Sequence, residues 1–195
     1  MVVNGAINDS NNIQKKDVEL IVRKLCVSYS QIRRSFRKSE AQINHVLDKG
    51  DPTTAIQLLA DTYHLPDGFV QRVGYSAKIN SLAALQSEFD FVRNRVIKCT
   101  VYFQDSRTGV LTMPRYRFIH MVAHELSHAR MQKDMHSLRT SEFATDVLAI
   151  LATGDSKGYT TSMLDDHIEY GYIRRDLLNE LFRCLGLYAE RIYLR

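Results

Sequence analysis

The sequence predicts an α+β fold that is mainly α: a small sheet, a central polar-bearing helix, a second helix that follows it, and an N-terminal helical region. Three observations predict it. Most of the 195-residue chain carries apolar residues stepping by three and four, the period of a helix. The period changes once, at Val96 to Phe103 (VIKCTVYF), a run of β-branched and aromatic residues that reads as a strand. The composition, 45% hydrophobic and 25% charged, is that of an ordinary globular protein with enough apolar material for a core. The length allows one large domain or two small ones. The expected division is an N-terminal helical region over residues 1–80 and a core over 81–195, with one continuous domain as the alternative.

The polar lead-in to about Asp17 is expected to fray. From Lys16 to Asp48, Val18, Val22, Leu25, Tyr29, Ile32, Phe36, Ser39, Ile43 and Val46 alternate steps of four and three, broken once at Ser39. This predicts a long helix, packed within the chain or pairing with a second copy to make a homodimer. Gly50-Asp51-Pro52 stops it and starts the next, over Thr53 to Tyr63. Phe69 to Val73 reads as a turn or short helix. Ser81 to Arg95 reads as a helix with Leu82, Leu85, Phe89 and Val92 on one side. The strand Val96 to Phe103 follows. Turn chemistry at Asp105 to Gly109 then predicts a hairpin, with a second short strand over Val110 to Met113. Pro114 opens a helix that presents Phe118, Val122 and Leu126 to the core and ends near Gln132. After a polar connector, Thr140 or Ser141 caps a helix through Phe143, Val147 and Ile150 to Gly154. Two further helices are expected, Met163 to Tyr170 and about Ile173 to Tyr193.

Several function classes are excluded or weakened. No apolar run approaches the ~20 residues needed to cross a bilayer. The N-terminus lacks the basic and apolar regions of a secretory signal. Three scattered cysteines, Cys26, Cys99 and Cys184, make neither a disulfide framework nor a C-x-x-C metal site, so a reducing cytoplasm is expected. The net charge of +4 comes from residues 1–50, which hold nine Lys/Arg against five Asp/Glu. The basic run Arg33-Arg34-Ser35-Phe36-Arg37-Lys38 could touch nucleic acid, but such a run is more often the solvated side of a helix. No helix–turn–helix turn accompanies it, and nucleic acid is not the expected partner.

The chemistry lies in His124-Glu125-Leu126-Ser127-His128, an H-E-x-x-H box. Residues four apart on a helix share a face, so His124 and His128 can aim two imidazoles at one point. Two neutral imidazoles leave room for a third protein ligand and a water, the pattern of a catalytic zinc site. Glu125 sits beside them as a candidate general base. The best third ligand is Glu142, at the start of the following helix, with Asp146 four residues on and on the same face. Asp146 can take the outer N–H of a ligand histidine. Asp134 and His136 are the competitors for third ligand.

His124, Glu125 and His128, followed by Glu142-x-x-x-Asp146 in SEFATD, resemble the gluzincin zinc metallopeptidases. Arg117-Phe118 and Val122-Ala123 leading into the box are similar to the ImmA/IrrE-type members. The resemblance covers about Val96 to Leu151. It implies a zincin-like core of a small sheet, an active-site helix and a glutamate helix. It also implies Glu125 as catalytic base, His124, His128 and Glu142 as Zn2+ ligands, Asp146 behind them, and a peptide or protein as substrate. The interval from His128 to Glu142 is shorter than that pattern leads one to expect. An oxyanion donor is sought among His167, Tyr159, Tyr170 and Tyr172. The alternative is a regulatory or nucleic-acid-associated protein whose metal site is structural or degenerate.

Overall fold

The computed structural model describes residues 13–67, 69–76, 83–90, 95–104, 107–154 and 175–193. The fold is α+β and mainly helical, with one three-stranded mixed sheet. Helix α1 (Lys15–Asp48) is the long helix the periodicity predicts, with Asp17 accepting from the Gln14 backbone N–H at 3.0 Å. It is kinked at Tyr29 (φ −130°, ψ 17°), whose ring packs against His136 and the Arg130 guanidinium. Its apolar stripe is covered within the chain, by α2 (Pro52–Thr62), α5 (Glu142–Thr153) and α6 (Arg175–Tyr193). The basic run on α1 is divided: Phe36 is buried, Arg33 donates to Thr153 O at the end of α5, and Arg34, Arg37 and Lys38 are exposed.

α2 starts where Asp51 accepts from Thr54 N, with Pro52 in the first turn. Its far end is tied to α4 (Arg115–Lys133). The Tyr63 hydroxyl donates to Ala123 O at 3.0 Å, and Arg130 Nη1 donates to the carbonyls of Tyr63 and His64 at 2.8 and 3.0 Å.

Three of the expected elements differ. Phe69 to Val73 was expected to be a turn or short helix; Val70–Tyr75 is instead strand β1, paired in parallel with β3 (Arg95–Phe103). The segment expected as a helix from Ser81 to Arg95 contains strand β2 (Ala83–Asp90), antiparallel to β3. Ala, Leu, Gln and Glu favour helix locally, but pairing with a strong central strand outweighs a weak intrinsic preference. Glu88 opposite Lys98 adds a cross-strand ion pair at 3.1 Å. Val110 to Met113, expected as a strand, falls mostly in the short helix α3 (Arg107–Thr112), where Thr112 Oγ1 bonds back to the carbonyls of Thr108 and Gly109. The hairpin is therefore β2–β3, not β3 with a later strand. The sheet order is β1-β3-β2, so β1, from before residue 81, and β3, from after it, share one sheet.

α4 packs on β2 and β3, with Phe118 stacked on Phe103 at 5.8 Å between centroids. Phe118, Val122 and Leu126 are all buried, as their spacing predicts. α5 packs beside α4 and against α1. The helix expected over Met163 to Tyr170 lies outside the described residues. The three cysteines are free and buried, and burial pushes the Cys26 and Cys99 thiols up to about 11 and 12, away from reactive thiolate.

Gly154 ends α5 in the left-handed region (φ 67°), and a side-chain carbon there would run into the Arg33 guanidinium. Gly154→Ala is expected to cost roughly 1–2 kcal/mol from the backbone alone, and more while Arg33 holds its place on Thr153 O. Chemical denaturation should show the excess disappear in an Arg33→Ala background. An equal cost in both backgrounds would mean that the guanidinium simply moves aside.

Candidate metal centre

α4 is buried along most of its length, so polar side chains on it must find partners inside the protein. His124 and His128 find them on α5. Ser141 starts that helix by accepting from Ala144 N at 3.3 Å, which sets Glu142 in its first turn. The short connector from His128 to Glu142 is closed by a compact turn. His136 N bonds to Met131 O and Met135 N to Gln132 O, with Met135 left-handed (φ 51°). This is a Schellman ending made without glycine. It reverses the chain within a few residues, so the two helices face each other despite the short interval.

Glu142 Oε2 lies 3.2 Å from His124 Nε2 and 3.1 Å from His128 Nε2. One ligand atom from each of the three residues falls within 4.8 Å of the others. A cation about 2.0–2.2 Å from each donor sets neighbouring donors about 3.3 Å apart in tetrahedral geometry. The observed nitrogen–oxygen separations match that spacing, so the residues present fit a divalent metal. The His124 and His128 side chains are 12% and 14% exposed, which leaves the cluster reachable from solvent.

The outer face of the cluster is also built. His124 Nδ1 is 2.7 Å from Asp146 Oδ1, the contact expected from the helical spacing. His128 Nδ1 is 3.3 Å from Thr145 Oγ1. His120, one turn before His124, places Nε2 at 3.9 Å from the same Asp146 oxygen. Sequence reasoning missed Thr145 and His120. The signal was present: Thr145 follows Glu142 by three, on the face that carries Asp146, and His120 precedes His124 by four.

Glu125 reaches the sheet. Its carboxylate accepts the backbone N–H of Leu85 on β2. Burial raises its pKa, while the two histidines beside it act in the opposite direction. Burial alone would pull the His124 imidazole down, but the Asp146 and Glu142 carboxylates outweigh that and hold it well above its usual range. For Glu142, burial pushes up, and the hydrogen bonds from His124 and His128 more than offset it, leaving the carboxyl below the usual range. The competitors fall elsewhere. Asp134 accepts from Arg130 Nε at 2.8 Å, and His136 packs on Tyr29 while its Nδ1 accepts from Leu138 N. His167, Tyr159, Tyr170 and Tyr172 lie outside the described residues.

These shifts set a direction for metal binding. The raised His124 pKa and the lowered Glu142 pKa favour a proton on His124 and an ionised Glu142 in the metal-free cluster, a proton that a metal must displace. Affinity should therefore rise with pH. Calorimetric titration of zinc at pH 7, in two buffers of different ionisation enthalpy, should report release of about one proton. No release would contradict the charge state assigned to His124.

Comparison of the chain with protein-family models, with curated proteins and with solved structures finds no match.

Proposed function

We propose that the protein is a zinc-dependent peptidase, with His124, His128 and Glu142 as metal ligands and Glu125 as general base. The observation that carries this reading is the convergence of His124 Nε2, His128 Nε2 and a Glu142 oxygen within 4.8 Å, with an acid adjacent in sequence to the first ligand. Two imidazoles and one carboxylate suit zinc among the borderline divalent ions. A structural zinc site normally closes with four protein ligands; three leave a position for water. The glutamate at 125 has no place in a purely structural site. The resemblance to gluzincins, including the ImmA/IrrE type, supports the same assignment. The elements that resemblance implies, a small sheet, a helix bearing the box and a helix bearing a glutamate, are each present.

When bound, zinc would supply a Lewis acid for the scissile carbonyl and lower the pKa of the attacking water. The remaining steps belong to the chain. Among the described residues β2 pairs only with β3, so its other edge, apart from the Leu85 N–H that Glu125 engages, can take an extended peptide by backbone hydrogen bonding. Glu125, tied to that strand through Leu85 N–H, takes a proton from water and returns it to the leaving amine. The raised pKa of its buried carboxyl brings it closer to neutral pH, where a base that must also act as an acid works best. Asp146, against His124 Nδ1, orients that ligand. The substrate is a peptide or protein, and buried free thiols are in keeping with a reducing cytoplasm.

Metal analysis of purified protein after zinc reconstitution should find stoichiometric zinc, lost in His124→Ala. Glu125→Gln should keep zinc and lose hydrolysis of a peptide library by ~10²–10⁴-fold. Wild-type protein that takes up no divalent metal would overturn the assignment, as would a Glu125→Gln variant of undiminished activity.

A further inference from the structure

The two histidines of the cluster have unlike outer partners. His124 turns Nδ1 to a carboxylate, Asp146. His128 turns Nδ1 to a neutral hydroxyl, Thr145 Oγ1, at 3.3 Å. The direction of that second bond follows from what else the hydroxyl does. Thr145 Oγ1 donates its single proton to Ser141 O at 2.9 Å. A hydroxyl whose proton is engaged offers only lone pairs to a third group. Thr145 is fully buried, so no water competes for the position. The geometry points to Thr145 as the positioning residue that keeps the His128 proton on Nδ1 and so leaves the Nε2 lone pair for a metal.

The inference rests on the metal-binding reading and adds a residue to it. Thr145 and Asp146 are consecutive on α5, so one stretch of backbone sets the tautomer of both rings. A ligand histidine whose outer N–H is held in this way has a fixed ring orientation and a more basic metal-facing nitrogen. The hydroxyl does so without adding a third negative charge to a pocket that already holds Glu142 and Asp146.

Thr145→Val isolates the effect. Ser141 O keeps a donor in the variant, because the residue-145 backbone N–H also reaches it, at 3.0 Å. The group left without a partner is His128 Nδ1–H. Zinc affinity, measured by competition with a chromogenic chelator, should fall roughly 10–100-fold in Thr145→Val. Thr145→Ser, which keeps the oxygen, should restore most of it. Nitrogen-detected NMR of the zinc-loaded wild type should show His128 protonated at Nδ1 and coordinated through Nε2. Circular dichroism establishes that both variants are folded. If the wild type binds zinc and Thr145→Val binds it equally tightly, Thr145 has no positioning role and the metal assignment stands. Thr145 also loses that role if His128 coordinates through Nδ1, or if the serine variant is as weak as valine. If the wild type binds no zinc, the metal assignment itself fails and this inference with it.

Discussion

The structure depends on one buried constraint: Glu142 and Asp146 on α5 must face His124 and His128 on α4. Isolated, each of these groups would be costly inside a protein, and a buried carboxylate without a partner costs several kcal/mol. Together they neutralise one another. Much of the surrounding architecture serves to hold α5 at this register. Ser141 sets where it starts, Gly154 sets where it stops, and Arg33 of α1 grips the carbonyl of its last residue, Thr153. α4 is fixed from its other sides by Phe118 on Phe103 and by Tyr63 and Arg130 at the end of α2. The N-terminal helices are thus part of the frame that positions the cluster.

Charge and access divide the cluster into two halves. The side towards α5 is closed and satisfied, with Asp146 fully buried and Thr145 engaged at both ends. The side towards the sheet carries Glu125, whose carboxyl is held by the β2 backbone. A metal between them would meet rigid ligands on one side and a proton acceptor on the other. That asymmetry supports the hydrolytic role proposed above, which needs fixed ligands on one side and a proton acceptor on the other.

The parts of this arrangement that were legible in the sequence are those fixed by local spacing. His124 and His128 are four apart, as are Glu142 and Asp146, and a helix brings each pair to one face wherever it lies. The caps at Asp51, Ser141 and Gly154 act within a few residues, and they too could be read directly. What could not be read was set by distant pairing. Ala83 to Asp90 has the composition of a helix and becomes a strand only because β3 stands beside it. Val70 to Tyr75 has little strand signal of its own, yet it takes the other side of β3. The turn that lets a short connector join α4 to α5 uses Met135 in a left-handed conformation, where glycine is the usual marker. Thr145 was overlooked because a threonine inside a helix ordinarily bonds back to its own backbone; here it does that and more.

The strand order has a consequence for how the molecule is made. β1 leaves the ribosome before β2 and β3, yet its only partner among the described residues is β3, which lies beyond β2 in the chain. During synthesis β1 therefore precedes its partner strand, while β2 and β3, adjacent in sequence, can pair locally. Loop-closure entropy favours this local pairing over the more distant parallel pairing of β1. A chain cut near residue 80 would leave β3 with an open hydrogen-bonding edge, a template for association with other chains rather than an independent catalytic unit.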